Sequence, residues 1–363
     1  MPVQAPITAS YSTTANGNVL APGARSTTTV AGANTSLPFS KNVQGNYKVE
    51  TYLSKINDPW TNLAFEEWKK SECNLKALAR DNVPFVRRKS GGGTVYHDMG
   101  NTNYSIMMPR AVFDRKTNVE LVCRALHELD IPAIVNDRHD IVLEGRKVSG
   151  SAYKLIQHRS YHHGTMLIDT DLTTLGQYLK CERETLVTKG VASFRSPVTR
   201  LRDHSFTIDH LPFCEAVRDE FLKRYAFDRW RQNEEGEFTI IDEAYIERLP
   251  AVQKLRDEMK TWDWVYGQTP EFTYTMDKVF PWGSVKFSLK SKEGKFVKVD
   301  VETSQAIASF PLTALCVGME GLRYDSDGLD EAVKRIEEEA PEVLCADGRL
   351  YVQQVVAWLK EAL

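Results

Sequence analysis

The sequence has no CxxC pair, no apolar run approaching the roughly 18 residues that span a bilayer, and no excess of one charge sign. Its six cysteines, Cys73, Cys123, Cys181, Cys214, Cys316 and Cys345, are scattered without regular spacing. That excludes a zinc ribbon and a disulfide framework and fits a reducing compartment. The 49 acidic and 46 basic residues are interspersed and leave a net charge of −3, so the one-sided basic field that nucleic acids require is missing. No segment has the length and flanks of a secretory signal. The chain is therefore expected to bind no nucleic acid and to enter no membrane.

A more local absence marks the N-terminus. No Asp or Glu precedes Glu50, the only basic residues are Arg25, Lys41 and Lys48, and Ser and Thr cluster as in Ser26-Thr27-Thr28-Thr29. Such a stretch has too little apolar surface to bury. Residues 1–49 are expected to be a disordered tail or a targeting segment. Organelle transit peptides share the lack of acids and the abundance of Ser but carry more Arg and are amphipathic, so composition weighs the two readings evenly.

What the chain does have is length and apolar content: 363 residues, 42% of them hydrophobic, enough for a sizeable core and an accessory domain. Asn62 to Lys70 places Leu63 and Trp68 at helical spacing, and Val83-Pro84-Phe85-Val86 reads as a short strand running into Gly91-Gly92-Gly93. Asn103 to Met108 reads as a strand, and Asn118 to Leu129 as a helix with Val119, Val122, Leu126 and Leu129 on one face. Ile141-Val142-Leu143 and Lys147-Val148 suggest a strand pair turning at Glu144-Gly145, and His163 to Ile168 adds a strand. Without a regular βαβ repeat, this order predicts an α+β fold with a mixed, mainly antiparallel sheet flanked by helices. Beyond Trp262-Asp263-Trp264, Val285, Phe287 and Leu289 alternate, a turn follows at Lys292-Glu293-Gly294-Lys295, and Val297, Val299 and Val301 alternate, which spells a hairpin. Two amphipathic helices follow, one with Leu329, Val333 and Ile336 and one with Val352, Val355, Val356, Leu359 and Leu363. The expected domains are 50–265, catalytic, and 266–363, a small C-terminal α+β accessory domain.

The chemistry is concentrated in Arg87-Arg88-Lys89-Ser90-Gly91-Gly92-Gly93-Thr94-Val95-Tyr96-His97-Asp98-Met99-Gly100-Asn101. Glycines let backbone lie flush against a ligand and aim N–H groups at an anion, while Arg offers a fork matched to phosphate or carboxylate. A glycine triplet alone is more often a plain turn, and this one is neither a Walker loop nor a GxGxxG fingerprint. The full string, however, closely resembles the signature of lipoate-protein ligases and mitochondrial lipoyltransferases. Further matching strings follow in family order: Arg146-Lys147-Val148-Ser149-Gly150-Ser151-Ala152, His162-His163-Gly164-Thr165, Ala192 to Leu201, and Trp264 to Pro270.

The resemblance implies a fold shared with biotin protein ligases and the catalytic domains of class II aminoacyl-tRNA synthetases. It implies a two-step reaction in which lipoate and ATP give lipoyl-AMP, and a lysine of an acceptor then displaces AMP. The implied acceptors are lipoyl domains of 2-oxoacid dehydrogenase E2 subunits and the glycine cleavage H protein; the implied location is mitochondrial, with the cytoplasm as the alternative. Carried over by motif, Lys147 is the catalytic cation touching both acyl carbonyl and phosphate. Arg88, Gly93, Thr94, Val95, Tyr96 and Asp140 join it in holding ATP, while Gly91, Gly92 and His163 line the lipoyl channel with it. Asp140 is also a candidate Mg²⁺ ligand, although His139 stands before it where bacterial ligases usually show Asn. On residue type alone, Lys147 reads as a surface lysine on a turn.

Two other constellations are weaker. His158 and His162 have the i, i+4 spacing of a helical zinc pair, with His163 adjacent, but they fall where a loop enters a strand. A cysteine nucleophile, as in some octanoyltransferases of the superfamily, finds no cysteine in a matching motif.

The chain also departs from the family. Relatives carry a strand with a Val-Val-Ile-Gly-Arg-Xaa-Gln-Asn-Pro-Trp type motif that walls the lipoyl pocket, whereas here Lys69-Lys70-Ser71 runs directly into Glu72-Cys73-Asn74. A missing strand opens the wall and bares sheet edges, as a shortened isoform or an imperfect gene model would. Two alternatives stay in view beside the ATP-dependent ligase: an amidotransferase moving lipoyl or octanoyl groups between carrier domains, since eukaryotic relatives resemble the sequence at least as strongly, and a binding-only pseudoenzyme, which the missing strand suggests.

Overall fold

The computed structural model describes residues 8–14, 48–54, 58, 80–81, 83, 85–88, 94–179, 186–188, 196–227 and 238–363. The helix expected over 62–70, the glycine triplet 91–93 and the junction at 70–72 lie outside them. The chain divides into two compact units, one of Met1–Trp68, Lys89–Gly176 and Phe194–Gln253 and one of Lys69–Arg88, Gln177–Ser193 and Lys254–Leu363.

The first unit is a mixed, mainly antiparallel α+β body. Six strands order as β10-β2-β1-β3-β8-β7: β1 (Thr8–Thr14), β2 (Lys48–Ser54), β3 (Asn101–Pro109), β7 (Ser151–Leu155), β8 (Arg159–Leu167) and β10 (Thr239–Ile241). Strand β1 falls within the segment expected to be a tail or targeting peptide; it pairs antiparallel with β2 and touches β3 in parallel at Tyr11 and Ile106. A second sheet joins β4 (Ile134–Val135), β5 (Ile141–Leu143) and β6 (Arg146–Ser149). The β5–β6 turn is the expected Glu144-Gly145, both with positive φ, 50° and 75°, as a two-residue hairpin of right-handed twist needs.

Helices α1 (Arg115–His127) and α2 (His210–Tyr225) supply the apolar cover. Helix α1 starts three residues before the expected Asn118 because the Asp114 carboxylate accepts from Thr117 N–H at 2.7 Å and caps it. It stops before Leu129, and Asp130 then turns left-handed at φ 57°, yet Leu129 still packs on the core. Val119, Val122 and Leu126 of α1 and Phe213, Val217 and Phe221 of α2 are buried with Tyr104, Ile106 and Met166 of the sheet.

The strand expected over 83–86 is a correction. Val83, Phe85 and Val86 belong to no strand, and Pro84 between them has no N–H to give a ladder.

In the second unit β9 (Leu186–Thr188), β11 (Phe272–Phe280), β12 (Gly283–Lys292) and β13 (Lys295–Thr303) form an antiparallel sheet in the order β13-β12-β11-β9. The β12–β13 hairpin is the expected one, with Glu293 and Gly294 at φ 55° and 69°. Helix α3 (Pro250–Lys260) precedes β11 in the chain, and Val285, Phe287 and Leu289 face inward onto α4 (Ala306–Met319), α5 (Ser326–Glu339) and α6 (Ala346–Ala362), through Leu312, Leu315, Leu329, Val355 and Leu359. Sequence periodicity foretold α5 and α6; it missed α4, which is apolar on both sides and has Pro311 inside it, so no single stripe stands out.

Two details of the first unit generate predictions. Gly100 approaches Asp169 so closely that an added Cβ would stand 2.2 Å from that residue's carbonyl carbon, and backbone cannot yield as a side chain does. Gly100→Ala is expected to lower unfolding stability by about 1–3 kcal/mol, read by urea titration; an unchanged midpoint would contradict the packing. His162 is fully buried, stacked on Tyr153 at 4.6 Å between ring centroids and edge-on to Tyr104 at 5.5 Å. Neither ring nitrogen has a hydrogen-bond partner among the described residues, and burial drives its pKa down from 6.5 to about 3. The unfolded chain therefore takes up this proton first, so stability is full above pH 6.5 and is lost as pH falls toward 3, at up to about 1.4 kcal/mol per pH unit. His162→Phe is expected to flatten that acid limb in melts from pH 7 to 4; an equally steep limb would sink the assignment.

Candidate functional site

Lys147 sits in the middle of β6 with its strand held on both edges. Across the hairpin it registers with Val142. On the other side its N–H donates to Pro197 O at 2.8 Å, and its carbonyl accepts from Thr199 N–H at 3.1 Å. The next residue, Val148, is wholly buried, which fixes the strand's roll. The Lys147 side chain is 22% exposed and donates from Nζ to Asp140 Oδ1 at 2.5 Å. Asp140 is buried just before β5, with Arg138 Nε 3.9 Å from its second oxygen. His139 between them occupies the left-handed region at φ 61°, a seat that Asn and His accept more readily than most residues.

Three residues beyond Lys147, Gly150 bridges β6 to β7 and is clamped to β8. Its N–H donates to Thr165 Oγ1 at 3.0 Å, and its carbonyl accepts from Thr165 N–H at 2.8 Å. A Cβ at Gly150 would lie 3.2 Å from Thr165 Oγ1 and 3.9 Å from Val95 Cγ1, so the glycine makes room for the Thr165 clamp, and the Val95 segment passes the same point at ordinary van der Waals distance. Thr94, Val95 and Tyr96 are half-buried there. His163 shares the Thr165 face of β8, opposite His162, and opposes Ser105 and Ala152 in register. Burial lowers its pKa to about 3, so at neutral pH it is an uncharged ring suited to an apolar or neutral ligand group.

Of the residues singled out from sequence, the first unit thus brings Lys147 and Asp140 into contact and sets Val95 beside Gly150. Gly91, Gly92 and Gly93 lie outside the described residues. Arg88 is half-buried and belongs to the second unit with Arg87. Arg87 has a structural duty there. It is buried, donates to Val265 O at 2.8 Å and Thr269 Oγ1 at 3.1 Å, and its carbonyl accepts from Trp264 Nε1 at 2.7 Å. Desolvation pushes its pKa down to about 10, so it stays protonated at neutral pH. Two strings that look independent in sequence, Arg87-Arg88-Lys89 and Trp264 to Pro270, are therefore one packing unit, and one of the three basic residues is spent on it.

Sequence reading gave no role to Thr165 or to Pro197 and Thr199. Their only signal was membership in the matched strings. The buried cysteines stay protonated: burial raises the thiol of Cys123 to about 11 and that of Cys316 to about 12, and Cys214 is raised as well. His158 precedes β8, while His162 and His163 face opposite sides of it, so the three do not converge. For Mg²⁺, Asp140 is one carboxylate already facing two cations, which fits an ion only if that ion arrives with phosphates that complete its shell. The first unit thus offers a sheltered ammonium paired with the Asp140 carboxylate beside close-approaching backbone, suited to a site where two anions must meet.

Comparison with known proteins gives this arrangement a context. A family model described as the lipoyl protein ligase A/B catalytic domain matches residues 58–222, and one described as the bacterial lipoate protein ligase C-terminus matches residues 269–345. Among solved structures, the chain is similar to P. falciparum LipL1 in complex with lipoate, at 25% identity over 82% of each chain with a TM-score of 0.47. It is similar to a lipoate-protein ligase A bound with ATP at 20% identity, over 59% of this chain and 96% of that one, TM-score 0.46. A bipartite lipoate protein ligase from Thermoplasma acidophilum, described with its E2 lipoyl domain, matches at 20% identity over 59% and 93%, TM-score 0.45. With both family models matched in order along one chain, the protein belongs to the lipoyl protein ligase A/B family and is an enzyme of the ligase or lipoyltransferase class.

Proposed function

We propose that this chain activates lipoate with ATP and transfers the lipoyl group to a lysine of lipoyl domains, those of 2-oxoacid dehydrogenase E2 subunits and of the glycine cleavage H protein. The observation that carries the reading is the Lys147 ammonium, fixed on a doubly pinned strand and paired with Asp140 at 2.5 Å. A carboxylate must gain a leaving group before an amine can displace it. In the first step a lipoate oxygen attacks the α-phosphorus of ATP, the α–β bridging bond breaks, and pyrophosphate leaves with that electron pair. Charge concentrates where the two anions meet, and Lys147 stands to offset it. In the second step the acceptor lysine's neutral amine adds to the acyl carbon, AMP leaves, and the amine gives up a proton as the amide forms.

In this reading Lys147 contacts both the acyl oxygen and the α-phosphate. Arg88 and the Gly93-Thr94-Val95-Tyr96 backbone hold the nucleotide, and Gly91, Gly92 and the neutral ring of His163 line the lipoyl channel. Asp140 releases Lys147 as the anions arrive and would be the residue to offer an oxygen to Mg²⁺; the ion would screen the phosphate charge. A mitochondrial location belongs to the same reading, supported by the acid-free, Ser- and Thr-rich stretch before Glu50, with the cytoplasm as the alternative.

Lys147→Ala is expected to lower lipoylation of an apo lipoyl domain by about 100-fold or more while the far-UV spectrum is unchanged. A mutant with near wild-type rate would refute the role. The donor is tested by offering lipoate with ATP, lipoyl-AMP, or a lipoylated carrier domain, and weighing the acceptor by mass spectrometry. Gain from all but the carrier domain is expected. Gain from the carrier domain without ATP would replace the ligase with an amidotransferase, and gain from none would make the chain a binding-only relative.

A further inference from the structure

Asp140 is presented to Lys147 by a five-residue loop between β4 and β5, Asn136-Asp137-Arg138-His139-Asp140, whose bonds converge on one side chain. The Asn136 carboxamide oxygen accepts from Arg138 N–H at 3.0 Å and from Asp140 N–H at 2.9 Å. The backbone of Asn136 closes the ring, donating to Asp140 O at 3.0 Å and accepting from His139 N–H at 2.9 Å. Each loop amide with one of these bonds is spoken for by Asn136, and the loop must hold His139 at φ 61°, a conformation that costs free energy unless its surroundings fix it. Removing the carboxamide leaves the amide of Asp140, a buried residue, without its acceptor.

We propose that Asn136 is a positioning residue for the reaction. It sets the Asp140 carboxylate and, through the 2.5 Å bond from Lys147 Nζ, the resting place of the ammonium from which the reaction starts. The inference rests on the reading of Lys147 as the activating cation. Asn is suited to the task because its short side chain caps two amides two and four residues ahead, and it does so without adding a second negative charge beside Asp140. Nothing in the matched strings includes it, since it precedes Arg146-Lys147-Val148-Ser149 by a full hairpin.

The test measures kcat and KM for lipoate, with ATP and an apo lipoyl domain, for wild type, Lys147→Ala, Asn136→Ala and Asn136→Ser, together with their melting temperatures. Asn136→Ala is expected to lower kcat by about 10-fold or more, the scale of a misplaced catalytic group, with KM for lipoate nearly unchanged. Asn136→Ser, whose hydroxyl still accepts from an amide, is expected to return kcat to within about threefold of wild type. A wild-type kcat in Asn136→Ala beside an inactive Lys147→Ala overturns the inference and leaves the proposed function standing; an active Lys147→Ala overturns the function itself. A loss in Asn136→Ala that Asn136→Ser does not repair also overturns it. If Asn136→Ala does not fold, Asn136→Gln keeps the carboxamide but sets it one methylene too far out to cap both amides. Its kcat is then expected to fall by about 10-fold or more with KM for lipoate nearly unchanged, and a wild-type kcat overturns the proposal.

Discussion

The ion pair between Lys147 and Asp140 is the interaction on which the rest of the first unit's chemistry depends. At 2.5 Å, with the two side chains 22% and 12% exposed, neither charge is well hydrated, so each needs the other until a ligand replaces it. A lysine in open water would be screened and would wander on its four-carbon stem. Here the stem begins on a strand bonded along both edges, and its end is tied to a carboxylate that the Asn136 loop holds in place. The site stores a positive charge in one location and gives it a partner that incoming anions can outcompete. The first unit's sheet makes this possible by stacking β5, β6 and the 196–200 segment side by side.

Glycine does complementary work nearby. Gly150 admits Val95 and Thr165 within van der Waals reach of the strand, and Gly164 leaves room for the phenol of Tyr104, which an added Cβ would meet at 2.3 Å. Tyr104 lies across β8 toward Ser149 Oγ at 3.4 Å, bracing the strand that carries Lys147 from beneath. The six-stranded sheet, separate from that of β5 and β6, has a packed face of Tyr104, Ile106, His162 and Met166 and an opposite face of Ser105, His163 and Thr165.

How much of this was legible in the sequence depends on whether a feature is local. The β5–β6 hairpin was visible because Glu144-Gly145 interrupts an apolar run, and the β12–β13 hairpin because Val285 to Val301 alternate around a turn. The α+β class followed from the order of such elements. Helix α4 was not visible, since a helix apolar on both faces has no stripe. The family likeness pointed to Lys147 and Asp140 separately, and their contact was not read from the sequence, because it joins the two ends of a hairpin through side-chain reach that spacing does not specify. Arg87 was read only as part of the basic string that opens the glycine-rich segment, and its partners Val265 and Thr269 lie some 180 residues away. The strand read over 83–86 is absent at Val83, Phe85 and Val86, and the missing N–H of a proline within the run should have counted against it.

The measurement that tests the account most directly is a crystal structure of the chain with a non-hydrolysable mimic of lipoyl-AMP. The account predicts that Lys147 Nζ leaves Asp140 and lies within hydrogen-bond distance of both the acyl oxygen and a phosphate oxygen, with β6 unmoved. A bound mimic with Lys147 still on Asp140 and away from both oxygens would contradict it.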